Sequence, residues 1–136
     1  MDDLDKSSLI AASGMRAQAE RMRVVSENMA NADSLPASPQ DLPYRRKTIT
    51  FRNVLDRSMG ADTVKVNKVD VDRSQFQKKY DPNHPAADSN GYVLAPNVNP
   101  MIELMDMREA NRTYEANLNV VSVSKQLLTN TVNMLK

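Results

Sequence analysis

Residues 3–32, DLDKSSLIAASGMRAQAERMRVVSENMANA, carry an unbroken helical pattern that decides the fold class. Alternating steps of four and three residues connect one seam without a slip: Leu4, Ser8, Ala11, Met15, Gln18, Met22, Val25, Met29 and Ala32. Such a repeat, held for about four heptads, predicts a helix that supercoils against another helix. A helix of this length spans about 45 Å, which is too long for a small globule. The sequence therefore predicts an N-terminal helix that belongs to a coiled coil.

A second helical stretch runs from residue 101 to residue 136, directly after Pro96 and Pro100. Apolar residues fall seven apart along it: Met107, Tyr114, Val121, Leu128 and Leu135. One flanking column is apolar and interrupted by Asn111 and Lys125, and it holds Leu104, Leu118 and Val132. The other flank is small or polar: Ala110, Asn117, Ser124 and Thr131. Because this seam is thin, we expect the helices to be marginal as an isolated pair and ordered by neighbouring copies.

Between the helices lies an irregular middle that contains all seven prolines of the chain. Period-two alternation predicts strands at residues 47–52 and 63–71, the second with a bulge near 67–68. Residues 73–80 are expected to extend that second strand or to pair with it. A last short strand at residues 92–94 follows the Asn90-Gly91 turn pair. The predicted fold is mainly α, with paired terminal helices and a small twisted β element between them. We expect three parts: 1–33, 34–100 and 101–136.

The composition argues against an enzyme. Among the 136 residues there is no cysteine, only three glycines and one histidine, His84, which lies between prolines without a nucleophile or second histidine nearby. The Asp- and Asn-rich run after Asp81 has Tyr92 where a calcium loop requires glutamate. We therefore predict no catalytic residue, no metal site and no cofactor. Turn formation explains these residues better.

Charge argues against nucleic-acid binding. The net charge is +1 overall, and residues 44–80 hold ten Lys or Arg against four Asp, a local excess of 10 − 4 = +6. Without interleaved aromatic residues this pattern is typical of a solvated basic face. No stretch approaches the roughly 20 apolar residues of a membrane span. The acidic N-terminus lacks a secretory signal pattern, so we expect that any export uses a route without a cleaved peptide.

Several motifs resemble those of a known family. Residues 16–33, RAQAERMRVVSENMANAD, followed by Pro43-Tyr-Arg-Arg-Lys47, resemble the N-terminal signature of flagellar rod and hook proteins. More specific motifs are similar to those of the proximal-rod members of this family: residues 80–93 (YDPNHPAADSNGYV), residues 96–99 (PNVN), Glu103-Leu-Met and residues 109–117 (EANRTYEAN). The similarity covers essentially the whole chain. In place of the family's usual short turn, this chain has the longer stretch 34–42.

The resemblance implies a structural subunit of the proximal rod in the basal body of the bacterial flagellum, a motility protein located in the periplasm. Such subunits leave the cytosol unfolded through the flagellar type III export channel. They assemble as a helical tube that transmits torque, with the terminal helices as the inner wall and the β-rich middle outside. The implied partners are copies of the chain, other proximal and distal rod proteins, the export adaptor at the rod base, and the nearby MS ring and export gate. Neither nucleic acid nor a small-molecule substrate is implied.

The predicted assembly interface combines the two helical seams with the Asn-rich end of the first helix: Leu4, Ala11, Met15, Met22, Val25, Asn28, Met29, Asn31, Leu104, Met107, Tyr114, Leu118, Val121, Leu128, Val132 and Leu135. We expect the side chains of Asn28 and Asn31 to fix the helix end and the turn after it. A soluble coiled-coil adaptor for an unrelated helical partner is the alternative. It predicts a stable dimer of fixed size with a dispensable middle.

Overall fold

The computed structural model describes residues 2–136. Two long helices enclose four strands in the order α1 (Asp2–Ala30), β1 (Lys47–Asp56), β2 (Ala61–Val71), β3 (Gln77–Tyr80), β4 (Tyr92–Ala95) and α2 (Pro100–Met134). The helices pack together, and the strands form two small antiparallel sheets, β1–β2 and β3–β4. The predicted fold class is confirmed. Residues 77–80, whose role the sequence left open, form a separate strand that pairs with β4.

Specific side chains stabilise the first turn of each helix. Asp2, Asp3 and Asp5 occupy the first turn of α1, where carboxylates favour the positive end of the helix dipole. At the start of α2, the Oδ1 of Asn99 accepts a hydrogen bond of 3.1 Å from the backbone N–H of Met101. Pro100 then occupies the first helical position, where its missing N–H removes no hydrogen bond.

The chain forms two compact units, and each helix contributes to both. Unit 1 contains residues 1–22, 49–68 and 108–136. In it, the β1–β2 hairpin turns through Gly60, whose φ of 66° favours glycine and whose N–H bonds to the carbonyl of Asp56 at 2.8 Å. The buried hydroxyl of Ser13 accepts a hydrogen bond of 3.1 Å from the backbone N–H of Val64. This bond ties the hairpin to α1.

Unit 2 contains residues 23–48 and 69–107. Its apolar core is small and includes Val24, Val93 and Val98, which are almost fully buried. Strands β3 and β4 pair from Gln77 opposite Ala95 to Tyr80 opposite Tyr92. The two tyrosine rings at the end of this register meet edge to face, with centroids 5.3 Å apart. Neither of the described helices has the length and apolar character needed to cross a lipid bilayer.

Candidate assembly interface

The N-terminal seam predicted from the sequence lies mostly on the inner side of α1. Ala11 and Val25 are buried, at 5% and 3% exposure, whereas Met29 is 39% exposed. The remaining predicted members are half-buried: Leu4, Met15, Met22 and the flanking Asn31. The chain itself thus covers part of this seam and leaves its edges accessible.

On α2, the residues most deeply buried are the small and polar ones. Glu103, Ala110 and Ser124 are 0%, 0% and 5% exposed, and Asn117 continues the same column at spacing seven. The predicted apolar column lies beside it and is half-buried: Met107, Tyr114, Val121 and Leu128, with Leu104 in a similar state. Three predicted interface residues are far more accessible, at 44%, 43% and 79% exposure: Leu118, Val132 and Leu135.

A close approach between the helices explains this choice of small residues. A Cβ added to Gly14 of α1 would lie 2.7 Å from the side-chain nitrogen of Asn117 on α2. Glycine therefore provides the space that the amide occupies, and the two residues form a notch that sets the register of the helices. An ion pair between Arg21 and Glu109, 3.9 Å apart, follows two turns along α1. Together the two contacts show that the helices run antiparallel.

A buried polar atom close to this notch lacks a hydrogen-bond partner in the described residues. Within residues 2–136, the Oε1 of Gln18 is buried and accepts no hydrogen bond. Gln18 lies about one helical turn from Gly14 along α1. A buried acceptor without a donor destabilises a fold by about 1–3 kcal/mol. The helix pairing in unit 1 is therefore weakened by its own polar residues.

Asn28, near the end of α1, is the centre of a buried hydrogen-bond cluster in unit 2. Its Oδ1 accepts hydrogen bonds from the backbone N–H of Lys47 and from the hydroxyl of Tyr44, both 2.8 Å long. Its Nδ2 donates to the carbonyl of Lys47 at 2.8 Å and to the Oε2 of Glu103 at 3.3 Å. An asparagine amide has two donors and two acceptor positions. All four are used, so this one side chain joins α1, β1 and α2.

A charged pair completes the cluster. The Nε of Arg46 donates to the Oε1 of Glu103, whose side chain is fully buried. Asp106 and Asp72 lie 3.4 Å and 3.7 Å from the same guanidinium. Burial lowers the pKa of Arg46, but the hydrogen bond and the three carboxylates outweigh it and raise the pKa overall. Removing one partner of such a buried pair leaves an uncompensated charge.

Tyr44 and Asn97 each form a hydrogen bond with a member of this cluster. Burial, together with the charges of Glu27 and Glu103, raises the pKa of Tyr44, which favours the protonated phenol that donates to Asn28. The Oδ1 of Asn97 accepts a hydrogen bond of 2.7 Å from the backbone N–H of Arg46. This bond joins the residue before β1 to the segment that leads into α2.

The second predicted asparagine lies just outside α1. The Nδ2 of Asn31 donates to the carbonyl of Glu27 at 2.8 Å, and the Asn31 backbone N–H bonds to the same oxygen at 3.1 Å. The Asn31 side chain thus adds a second hydrogen bond to a carbonyl in the last turn of the helix. Its role is local, whereas Asn28 bonds to residues far along the chain.

Sequence reasoning missed four members of the cluster: Tyr44, Arg46, Asn97 and Glu103. Each falls inside one of the motifs quoted above, which gave a signal without showing which residues meet. Among the described residues, no group of three or more His, Cys, Asp or Glu is arranged to hold a metal ion.

Comparison with known proteins agrees with these motifs. Residues 89–134 match the family described as flagellar basal body rod FlgEFG protein, C-terminal. Over 136 residues, the chain is 52% identical to the flagellar basal-body rod protein FlgC of Agrobacterium fabrum (strain C58), covering 100% of this chain and 98% of that protein.

More distant relatives have the same name. The chain is 38% identical to FlgC of Salmonella typhimurium (strain LT2) over 127 residues, covering 92% of each chain. It is 37% identical to FlgC of Bacillus subtilis (strain 168) over 134 residues, covering 88% of this chain and 89% of that protein. A paired-helix fold, a polar cluster built from the motif residues and full-length similarity lead to one conclusion: the chain belongs to the FlgC family of flagellar basal-body rod proteins, which are structural subunits and not enzymes.

Proposed function

We propose that this rod subunit assembles with copies of itself and with other rod proteins into a helical tube that transmits torque and surrounds the export channel. The supporting observation is the exposed apolar surface of α2. Leu118 and Val132 are each more than 40% exposed, and Leu135 is 79% exposed. Covering these side chains in neighbouring copies removes apolar surface from water, which favours association.

In this proposal the three parts of the chain have different roles. Residues 1–33 and 101–136 form the inner wall, and residues 34–100 form the β-rich outer part. The sixteen predicted interface residues fall into two groups: those that pack within the chain and those that remain accessible for neighbours. A contact between unlike surfaces of two copies generates a helical array when the rotation between copies does not close into a ring. Terminal helices with this surface therefore suit a tubular assembly.

The proposed partners are the other proximal and distal rod proteins and the export adaptor at the rod base, with the MS ring and export gate nearby. The proposed location is the periplasmic part of the basal body, reached through the flagellar export channel without a cleaved signal peptide. These assignments rest on the family resemblance. The marginal helix pairing of unit 1 supports them, because a chain that unfolds easily is compatible with export in an unfolded state.

A charge placed on the exposed face of α2 tests the proposal. We expect Leu118→Asp to abolish swimming and to yield basal bodies without a complete rod, because a carboxylate buried between copies lacks a partner. Asn119→Asp is the matched control, since it adds the same charge to the adjacent exposed position. The purified Leu118→Asp protein should retain the circular dichroism spectrum of the wild type. Normal swimming of Leu118→Asp would contradict the proposal, as would a wild-type protein that forms only a stable dimer.

A further inference from the structure

The C-terminal half of α2 carries a row of exposed aliphatic side chains on an almost uncharged surface. Val120, Val123 and Leu127 are 44%, 54% and 46% exposed. Steps of three and four residues place them on one face of the helix, which we name the α2 ridge. Residues 116–135 contain a single charged side chain, Lys125. A solvated helix face normally carries charges, so this surface is suited to burial.

The α2 ridge does not face α1. The column that packs on α1 passes through Ala110 and Ser124, and the ridge lies roughly a quarter to a third of a turn away from it. Nothing else in unit 1 covers the ridge, as the exposure of its members shows. Burial of the ridge therefore requires a surface with a depression that can accept aliphatic side chains.

A second surface of unit 1 offers that room. A groove of about 270 Å³ is lined by Ala12, Met15, Arg16, Ala19 and Tyr114. Its lining is mostly apolar, and Arg16, an exposed residue, is its one charged member. Alanine methyls line part of the groove, and the larger Met15 and Tyr114 side chains border it. A valine or leucine side chain fits such a depression between helices, as a knob fits a hole. We name this surface the α1 groove.

We propose that the α2 ridge of one copy docks into the α1 groove of another copy of this chain. The proposal deepens the proposed function, on which it rests. The aliphatic side chains of the ridge meet a mostly apolar surface that includes two alanines, and the ridge brings no charge that would be buried without a partner. Both surfaces adjoin the seam between α1 and α2, so the contact between copies continues the packing within each copy.

Geometry excludes the same contact within one chain. Asn117 of α2 lies against Gly14 of α1, and the helices are antiparallel. Val120 is therefore level with about residue 11 of α1, so the exclusion depends on direction around α2 and not on distance along it. The groove lies on the side of α2 that carries Tyr114, whereas the ridge lies on the opposite side of the column that packs on α1. A ridge that cannot reach its own groove remains available to another copy, and each added copy presents a free ridge and a free groove. The contact is heterologous and open-ended, as a helical array requires.

Disulfide trapping tests this pairing, and the absence of native cysteine gives it a clean background. Two chains with different affinity tags are produced beside the wild-type chain in motile cells. One carries Ala12→Cys or Ala19→Cys, and the other carries a cysteine at one of the three ridge positions. A disulfide needs Cα atoms about 4.4–6.8 Å apart, so the six combinations together scan the register along the helix axis. Basal bodies are isolated, oxidised and separated without reductant.

We expect a dimer carrying both tags in at least one of the six combinations, at ten times or more the yield of a Gln126→Cys control on another face of α2. Exclusion of the Ala19→Cys chain from rods, with its monomer spectrum intact, also supports the groove, because it shows that added volume there blocks incorporation. Rods that contain both tags but no doubly tagged dimer overturn the pairing. Disulfides to a different protein overturn it as well. In both cases the cells still swim and the proposed function stands, whereas its own failure appears as Leu118→Asp cells that swim.

Discussion

The two stretches in which α1 and α2 meet satisfy their polar groups very differently. In unit 2, residues 23–30 and 100–107 bury polar side chains that are hydrogen-bonded, with all four positions of the Asn28 amide used. In unit 1, residues 2–22 and 108–134 include the unsatisfied Gln18 oxygen and several exposed aliphatic side chains. The contrast concerns polar groups alone, because both stretches expose apolar side chains, Ile102 and Met105 in unit 2 among them. A subunit built in this way has one defined anchor and one adaptable end.

The largest expected effect comes from removing the centre of the anchor. Asn28→Ala leaves the Lys47 backbone groups, the Tyr44 hydroxyl and one oxygen of Glu103 without their partner. At about 1–3 kcal/mol for each buried group left unsatisfied, with partial relaxation, we expect a loss of about 3 kcal/mol in the free energy of unfolding. Urea denaturation followed by circular dichroism measures it.

Asn111→Ala, at an exposed position of α2, is the control for this substitution. It should change the free energy of unfolding by less than about 0.5 kcal/mol. If Asn28→Ala were as mild as this control, the cluster would not be an anchor, and the contrast between the two stretches would disappear.

A smaller effect tests the notch in the weaker stretch. Gly14→Ala gains about 1 kcal/mol of helix propensity, but its new Cβ displaces the Asn117 amide. We therefore expect little net change in the wild-type background and a gain of about 1 kcal/mol when Asn117→Ser provides space. The coupling between the two substitutions in a double-mutant cycle is the measured quantity. Equal effects of Gly14→Ala in both backgrounds would show that the notch does not set the helix contact.

The smallest expected effect is a pH dependence at alkaline pH. Burial raises the pKa of Tyr44 in the folded protein above its ordinary value of 10.0. The raised pKa means that the stabilisation is present below pH 10 and is lost as the pH rises through the folded-state pKa. The free energy of unfolding of the wild type should therefore exceed that of Tyr44→Phe at pH 8, and the difference should shrink towards pH 11. A constant difference over this range would rule out a protonated Tyr44 as the donor to Asn28.

Much of the fold follows from the sequence because its signals are local. The absence of proline within α1, its acidic first turn, and Pro96 before and Pro100 at the start of α2 mark the helices. Period-two alternation marks the strands. The bulge expected near residues 67–68 stays a prediction, as does the division into three parts.

The contact between the helices was harder to predict because it depends on residues distant in sequence. Apolar character drew attention to Met107 and its neighbours at spacing seven, yet Ala110 and Ser124 are buried more deeply. Small residues of α2 face α1 because Gly14 allows the two helices to approach closely. The sequence of α2 alone does not show this close approach. Likewise, Glu103 looks like an ordinary acidic residue in the first turn until Arg46 and Asn28 are placed beside it.

Hydrogen exchange of the purified monomer and of isolated rods tests the central claim most directly. In the monomer, we expect the backbone amides of residues 104–107 and 27–30 to be strongly protected, whereas those of residues 118–134 should exchange at least a hundredfold faster. Rods should protect both stretches. A monomer in which residues 118–134 are as protected as the anchor would contradict the claim that this end of the chain is completed by neighbouring molecules.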